Sequence, residues 1–228
     1  MIGIIGALHA EVESLIREIR DLRWETVGGY KFALGTIGSH EVAVVRCDVG
    51  KVNAAVCCQT LILTYRPEVV INTGVAGSLS PRLGILDVAV ATDAVQHDFD
   101  CDDYGYPKGA VSVNGEWITR LPCDAEWRER LLKAAGAVGV RALPARVATG
   151  DQFISRAEVK RRIVDEFSAE ACEMEGAAIA QTCRLAGVPC AILRAISDST
   201  DGNHSMEFNT FLESAVENSF RIMMEVLK

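Results

Sequence analysis

The chain has 228 residues, of which 49% are hydrophobic, so it can form a buried core and is not a disordered or collagen-like protein. It carries 31 acidic residues against 23 basic ones, a formal net charge of −8, which disfavours binding to a nucleic-acid backbone. No stretch reaches the ~18 uncharged apolar residues that a membrane-spanning helix needs. Residues 1–8 lack the basic start of a signal peptide. We therefore expect a soluble, cytoplasmic protein that binds neither nucleic acid nor membranes.

The chain begins with an apolar run, residues 2–7, which predicts a buried strand followed at once by a helix. In this helix the apolar residues recur at the spacing of one face, at Val12, Leu15, Ile16 and Ile19. Residues 24–48 then alternate and contain two turn signals, Gly28-Gly29 and Gly38-Ser39. They predict antiparallel strands, the last of them over residues 41–47.

From residue 51 onward, predicted helices and strands alternate. Helices are predicted over residues 51–65, 124–135, 157–167, 175–186 and from 208 to the end. Strands are predicted over residues 69–73, 86–92, 145–149, 171–173 and 189–196, and a loop over residues 98–122. This alternation, without a low-complexity linker, predicts an α/β fold: a single domain over residues 1–228, with a central mixed β-sheet flanked by helices.

Eight cysteines are present, but none forms a C-x-x-C pair and most lie within apolar runs. They are Cys47, Cys57, Cys58, Cys101, Cys123, Cys172, Cys183 and Cys190. Free cysteine behaves as a small hydrophobic residue in a reducing compartment, so we expect buried, reduced thiols. A metal or redox role and disulfides are the lesser alternatives.

Unusual residues follow four of the predicted strands, and ligands in folds of this class bind beyond the carboxyl ends of strands. They are Glu11, Gly74-Val75-Ala76-Gly77, Glu173-Met174-Glu175 and Ser197-Asp198. Each has an ordinary structural explanation, as a helix-terminal carboxylate, a tight turn or a cap. Together they would bring several carboxylates to one edge of the sheet. Paired carboxylates are typical of glycosyl transfer through an oxocarbenium-like transition state.

Six segments, in order and spread from end to end of the chain, match one family. They are Gly3-Ile4-Ile5-Gly6-Ala7 with Glu11, residues 49–55, residues 71–77, residues 150–154, residues 173–180 and residues 194–198. On these segments the chain resembles the nucleoside phosphorylase superfamily, and most closely the 5′-methylthioadenosine/S-adenosylhomocysteine nucleosidases. The resemblance implies a nucleoside phosphorylase-like fold. It also implies hydrolysis of the N-glycosidic bond of those two nucleosides to release adenine, in methionine salvage.

The resemblance further implies roles for individual residues. Asp198 would be the general acid that protonates adenine N7, Glu11 the general base for the attacking water, and Glu175 the ligand of the ribose hydroxyls. The other substrate-binding residues that it implies are Val49, Gly77, Phe153, Ile154, Met174, Arg194, Ser197 and Phe208. Phe153 would stack on adenine, and Gly77 would let the backbone approach the substrate. Arg194 and Ser197 would support the acid.

No metal or cofactor is implied, and the partners would be the nucleoside, water and a second copy of the chain. In this homodimer, the partner's loop near residues 98–110 would partly close the pocket against the 5′-alkylthio tail. Tyr104, Tyr106 and Pro107 give the loop the apolar surface to do so. Val75 stands where many relatives carry Ser or Thr, so a hydroxyl contact is missing.

Three other interpretations stay open. A nucleoside phosphorylase would use phosphate instead of water, but phosphate prefers a basic site rich in N–H groups, and Glu11 would repel it. A non-catalytic storage relative would be expected to lack one of the acidic site residues. A metal protein would use the segment 97–103, which has ligand-type residues for Zn²⁺ or Ca²⁺.

Overall fold

The computed structural model describes residues 1–199 and 204–228, with side chains in the second range from residue 208 onward. The helices are α1 (His9–Arg17), α2 (Lys51–Tyr65), α3 (Ala125–Ala137), α4 (Ala157–Phe167), α5 (Gly176–Ala186) and α6 (His204–Val226). The strands are β1 (Ile2–Gly6), β2 (Arg20–Val27), β3 (Tyr30–Ile37), β4 (His40–Arg46), β5 (Val69–Ser78), β6 (Val88–Gln96), β7 (Val111–Val113), β8 (Glu116–Ile118), β9 (Leu121–Pro122), β10 (Ala142–Thr149), β11 (Ala171–Glu173) and β12 (Cys190–Asp198). Within the described residues, no helix combines the length and apolar character needed to cross a membrane.

One mixed sheet organises the described part of the chain, in the order β11-β10-β6-β12-β5-β1-β4-β3-β2, with β9 paired to β6. Its centre is parallel, because β1 pairs with β4 and β5, and β5 pairs with β12. The predicted antiparallel pairing of β2, β3 and β4 is confirmed. Since β11 also pairs with β5, the strands β11, β10, β6, β12 and β5 close into a ring.

Two hydrophobic clusters cover opposite faces of this sheet. One joins Ile4 and Ile71 to α1, α3 and α6, and the other joins Ile5 and Val70 to α2 and α5. Successive residues of a strand point to opposite faces, so helices pack on both sides. The central strands β1 and β12 are accordingly buried at every residue. The predicted α/β fold, with a central mixed sheet flanked by helices, is confirmed.

Two segments interpreted as turn or loop form strands in the structure. The strand predicted over residues 69–73 continues through Gly74-Val75-Ala76-Gly77 to Ser78, so this segment is strand and not a turn. It stays extended because it pairs with β12, and its end pairs with β11. The loop predicted over residues 98–122 contains the short strands β7, β8 and β9.

The cysteines all lie in the described ranges and are free thiols. Seven are buried, and Cys101 is partly exposed. The sulfur atoms of Cys58 and Cys183 lie 3.6 Å apart, between α2 and α5. The prediction that the cysteines pack as small buried hydrophobic residues is confirmed, with Cys101 as the exception.

Candidate active site

A cavity of about 230 Å³ opens at the carboxyl ends of β1, β5 and β12. It is lined by ten of the eleven predicted site residues: Glu11, Val49, Gly77, Phe153, Ile154, Met174, Glu175, Ser197, Asp198 and Phe208. The three strands are parallel neighbours, so their carboxyl ends form one edge of the sheet. This edge is where residues distant in sequence meet.

Glu11 lies in the first turn of α1 and is held by three backbone N–H groups. Its Oε2 atom accepts hydrogen bonds from the N–H groups of Ala7 (2.7 Å) and Leu8 (2.9 Å), and Oε1 accepts one from Val75 (3.0 Å). Burial raises the pKa of Glu11, while the Arg194 charge and the three donors oppose the rise. Glu11 therefore caps its own helix and also presents to the cavity a carboxylate that takes up a proton more readily than an exposed glutamate.

Glu175 immediately precedes α5 and is 4% exposed. Its Oε1 atom accepts a hydrogen bond from the N–H of Gly50 at 2.9 Å. Burial raises the pKa of Glu175 to about 7, with Glu173 and Glu11 adding to the rise and Arg194 opposing it. Near neutral pH the group is divided between the carboxylate and the carboxylic acid, so it can accept or donate a hydrogen bond to a hydroxyl.

Arg194 is 1% exposed and lies behind the cavity wall. It forms an ion pair with Glu173, and its Nη2 atom donates to Asn72 Oδ1 (2.5 Å) and Glu175 Oε2 (3.4 Å). Burial by itself would lower the pKa of Arg194, but the neighbouring glutamates raise it, so the guanidinium stays charged. Arg194 is thus outside the described lining of the cavity, and its role toward the substrate and Asp198 stays a prediction. A buried cation needs anionic partners, and the glutamates after β11 supply them.

Asp198 ends β12 at the cavity wall and is 3% exposed. The Ser197 hydroxyl lies 3.3 Å from its Oδ2 atom, as expected of a residue that supports the acid. Lys160 Nζ donates to Oδ1 at 3.3 Å. A Cβ atom at position 77 would lie 2.9 Å from Asp198 Oδ1. The space that Gly77 leaves open is thus taken by the Asp198 carboxyl group.

Lys160 is absent from the residues that sequence reasoning singled out. The buried residues of α4 are Lys160, Ile163 and Phe167, at the i, i+3, i+7 spacing of one helix face. A lysine on an apolar stripe was the available signal, because a buried ammonium group needs a partner for its charge. No pattern in the sequence indicates which partner.

Two aromatic side chains stand at the mouth of the cavity. The rings of Phe153 and Phe208 meet edge to face, with centroids 6.1 Å apart and planes at 88°. Phe153 is 53% exposed, whereas Ile154 beside it is buried. An exposed ring face beside a buried apolar wall suits a planar aromatic ligand.

The acidic segment 97–103 makes separate contacts. Asp98 accepts hydrogen bonds from Lys51 Nζ (2.6 Å) and from the N–H of Asp151 (2.9 Å). His97 is buried, and burial lowers its pKa. Among the described residues, no group of three or more His, Cys, Asp or Glu side chains is arranged to hold a metal ion.

Comparisons with known proteins agree over the whole chain. A sequence model of the phosphorylase superfamily matches residues 1–228. The 5′-methylthioadenosine/S-adenosylhomocysteine nucleosidase of Staphylococcus carnosus is 37% identical over 236 residues, covering 100% of this chain and 99% of the relative. The crystal structure of the nucleosidase of the same name from Neisseria meningitidis, in complex with methylthio-immucillin-A, has a TM-score of 0.95 at 32% identity, covering 100% of this chain and 98% of that one. The futalosine hydrolase of Helicobacter pylori strain 26695 has a TM-score of 0.92 at 33% identity, covering 99% and 96%.

Proposed function

Since this chain belongs to the phosphorylase superfamily and, within it, to the 5′-methylthioadenosine/S-adenosylhomocysteine nucleosidases, we propose that it hydrolyses the N-glycosidic bond of these two nucleosides and releases adenine. One observation carries the proposal: three buried carboxyl groups, those of Glu11, Glu175 and Asp198, surround one cavity. Cleavage through an oxocarbenium-like transition state needs an acid for the leaving group and a base for water.

Asp198 is the acid of this reaction. It transfers its proton to adenine N7 while the C1′–N9 bond breaks and the bonding electron pair passes to the base. Adenine thereby leaves as a neutral molecule rather than as an anion. The contacts of Ser197 and Lys160 with the two carboxyl oxygens support this role, because they hold the group in one orientation.

Glu11 is the base. As the oxygen of a water molecule bonds to C1′, Glu11 takes one proton from that water. The burial that raises the pKa of Glu11 supports this role, since it strengthens the carboxylate as a proton acceptor. One proton is given to adenine and one is taken from water, so the protons balance over a turnover.

Glu175 binds the ribose hydroxyls, and Met174 lies against the sugar. A partly ionised carboxyl group beside the ring offsets the positive charge that develops on the sugar. Adenine stacks on Phe153 at the cavity mouth, with the backbone of Ile154 at the edge of the base and Val49 and Phe208 lining the pocket.

Water is favoured over phosphate as the nucleophile. Adjacent backbone N–H groups after a glycine turn form the kind of site that binds an anion. Here the N–H groups of Ala7 and Leu8 already donate to the Glu11 carboxylate. An incoming phosphate would have to displace that carboxylate and accept its repulsion, which favours hydrolysis over phosphorolysis.

The test is adenine release from 5′-methylthioadenosine and S-adenosylhomocysteine, measured with and without inorganic phosphate at constant pH. We expect equal rates in both conditions. A strict requirement for phosphate would indicate a phosphorylase, and no release from any nucleoside would indicate a binding protein. Futalosine belongs in the substrate panel, with release of its own nucleobase as the readout, because one similar structure is a futalosine hydrolase.

We further propose that the protein works as a homodimer. Val52, Val56 and Leu63 leave an apolar face of α2 exposed, and Val49 connects this face to the cavity mouth. A contiguous apolar patch of this kind marks an interaction site. Tyr104 is exposed on the loop near residues 98–110, available to reach a second copy. Tyr106, in contrast, stacks on Trp117 of its own chain, with centroids 3.8 Å apart.

We place this activity in the cytoplasm. Seven of the eight cysteines are buried, and those of α2 and α5, Cys58 and Cys183, pack against each other with their sulfur atoms 3.6 Å apart. Cysteines that serve as small buried hydrophobic residues suit a reducing compartment, which supports the assignment.

A further inference from the structure

Lys160 is a buried lysine beside the proposed acid. It is 4% exposed, and its Nζ atom donates hydrogen bonds to Asp198 Oδ1 (3.3 Å), to the carbonyl of Ser78 (3.1 Å) and to the carbonyl of Ser199 (2.7 Å). These three acceptors belong to the end of β5, the end of β12 and the residue that follows β12. The ammonium group thus joins α4 to the point where the two central strands end.

This arrangement is costly for stability alone. Burying an ammonium group requires desolvation that an ion pair repays only in part, and an apolar residue of similar volume is often at least as stable. The neighbours of Lys160 on the same helix face, Ile163 and Phe167, are apolar. A methionine would continue that stripe, so the presence of lysine calls for another reason.

We propose that Lys160 is a positioning residue for the reaction: through its hydrogen bond to Oδ1 it holds the Asp198 carboxyl group at the cavity wall in the orientation that meets the nucleobase. The inference rests on the proposed function, because it concerns the acid of that reaction. Lys160 is outside the described lining of the cavity, so it acts through Asp198 and not on the substrate.

Two neighbours border the Asp198 carboxyl group beside Lys160. Lys160 approaches Oδ1 and the Ser197 hydroxyl lies beside Oδ2, while the backbone of Gly77 borders the carboxyl group. From β11, the thiol of Cys172 lies near enough to interact with both Lys160 and Asp198.

Burial raises the pKa of Cys172 to about 12, so this thiol is neutral at physiological pH. Glu11 and Glu175 line the same cavity and are acidic, and Glu173 is paired with Arg194. Lys160 is a cation whose ammonium group donates directly to Asp198 Oδ1.

The first experiment compares kcat and KM for adenine release in the wild type, Lys160→Met and Lys160→Arg. Lys160→Met should lower kcat by about 10- to 100-fold, with KM changed by less than about threefold, since the acid is less well oriented. Lys160→Arg keeps a cationic donor at this position and should restore kcat to within about tenfold of the wild type.

The second experiment is a double-mutant comparison. Once the acid is lost in Asp198→Asn, adding Lys160→Met should change kcat by no more than about threefold, because the lysine acts only through that carboxyl group. Both of these proteins lack an ionised Asp198, so the comparison does not depend on whether Lys160→Met alone folds.

The outcomes separate the two proposals. If the wild type releases no adenine, the proposed function is wrong and this inference with it. If the wild type is active but Lys160→Met keeps the wild-type kcat or changes KM as much as kcat, or if the two substitutions lower kcat additively, Lys160 has only a structural role. A loss confined to kcat that Lys160→Arg restores, together with non-additive losses, supports the inference.

Discussion

The carboxyl group of Asp198 occupies the space beside Gly77, where a Cβ atom would lie 2.9 Å from Oδ1. This is closer than side-chain carbon atoms approach in proteins, so any other residue at position 77 must displace the carboxyl group. The glycine of β5 and the aspartate of β12 are thus one structural unit, joined across the parallel strand pair.

Gly77→Ala should reduce activity while leaving the fold intact. The added methyl group meets the end of a side chain rather than a rigid backbone, so Asp198 moves and the strands stay paired. A misplacement of about 1 Å costs on the order of 100-fold in rate, and we expect a loss of kcat of that size. Steady-state kinetics and thermal unfolding measure the two effects.

Gly136→Ala is the matched control, because a Cβ atom at that position of α3 meets nothing within 4 Å. It should keep wild-type kcat and slightly raise the melting temperature. Equal kcat for Gly77→Ala and the wild type would separate Gly77 from the acid.

Asp198→Asn should lower kcat by at least about 100-fold, because the amide keeps the shape of the side chain but has no acidic proton to transfer to N7. Substrate should still bind, which isothermal titration calorimetry with 5′-methylthioadenosine can measure. Turnover near the wild-type level would mean that Asp198 serves only to end its strand.

Glu11→Gln should lower both activity and stability. The amide removes the proton acceptor, and kcat should fall by about 100-fold or more. One carboxylate oxygen becomes an NH₂ group that faces backbone donors of Ala7 and Leu8 or of Val75, which leaves buried donors unpaired and costs about 1–3 kcal/mol. Kinetics and urea unfolding test the two parts separately. A variant that is inactive yet as stable as the wild type would contradict the hydrogen-bond part only.

Glu175 should make the wild type less stable as the pH rises from about 4.5 to about 7. The folded chain keeps the proton of Glu175 up to a pKa of about 7, whereas the unfolded chain releases it near the ordinary value of 4.5, so the folded state binds more protons in this range. The difference between these two pKa values lowers the free energy of unfolding by at most about 3 kcal/mol over this range.

Glu175→Gln is neutral at every pH, so it should remove this part of the pH dependence in urea unfolding at pH 5 and pH 7.5. Glu11 contributes in the same direction and remains in the variant. Glu158→Gln, at an exposed position of α4, is the control and should keep the wild-type slope. The same slope in all three proteins would show that Glu175 is not protonated in the folded state.

Val52→Arg should disrupt the proposed dimer, because it places a charge on the exposed apolar face of α2. Light scattering coupled to gel filtration should give twice the 24.7 kDa chain mass for the wild type and a shift toward the single-chain mass for the variant. Leu22→Arg, on the edge strand β2, is the control and should remain dimeric. A wild type that is monomeric and fully active on 5′-methylthioadenosine would overturn the dimer.

Much of the fold could be read from the sequence, because local periodicity determines where helices and strands form. The apolar stripe of α1 and the apolar runs of β1 and β12 are local patterns. The positions of Glu11, Glu175 and Asp198 could also be predicted, since each follows or ends a strand and the parallel strands end at one edge.

Local sequence patterns were enough to predict most of the helices and strands and the acidic residues at the carboxyl edge of the sheet. The packing of the folded chain sets how these residues pair: Arg194 binds Glu173 and Glu175, β5 runs straight through Gly77, and Lys160 meets Asp198. Such pairings join elements far apart in the chain, and no local pattern specifies them. Burial decides them, because each charge removed from water must find the partner that the packed helices and strands place within reach.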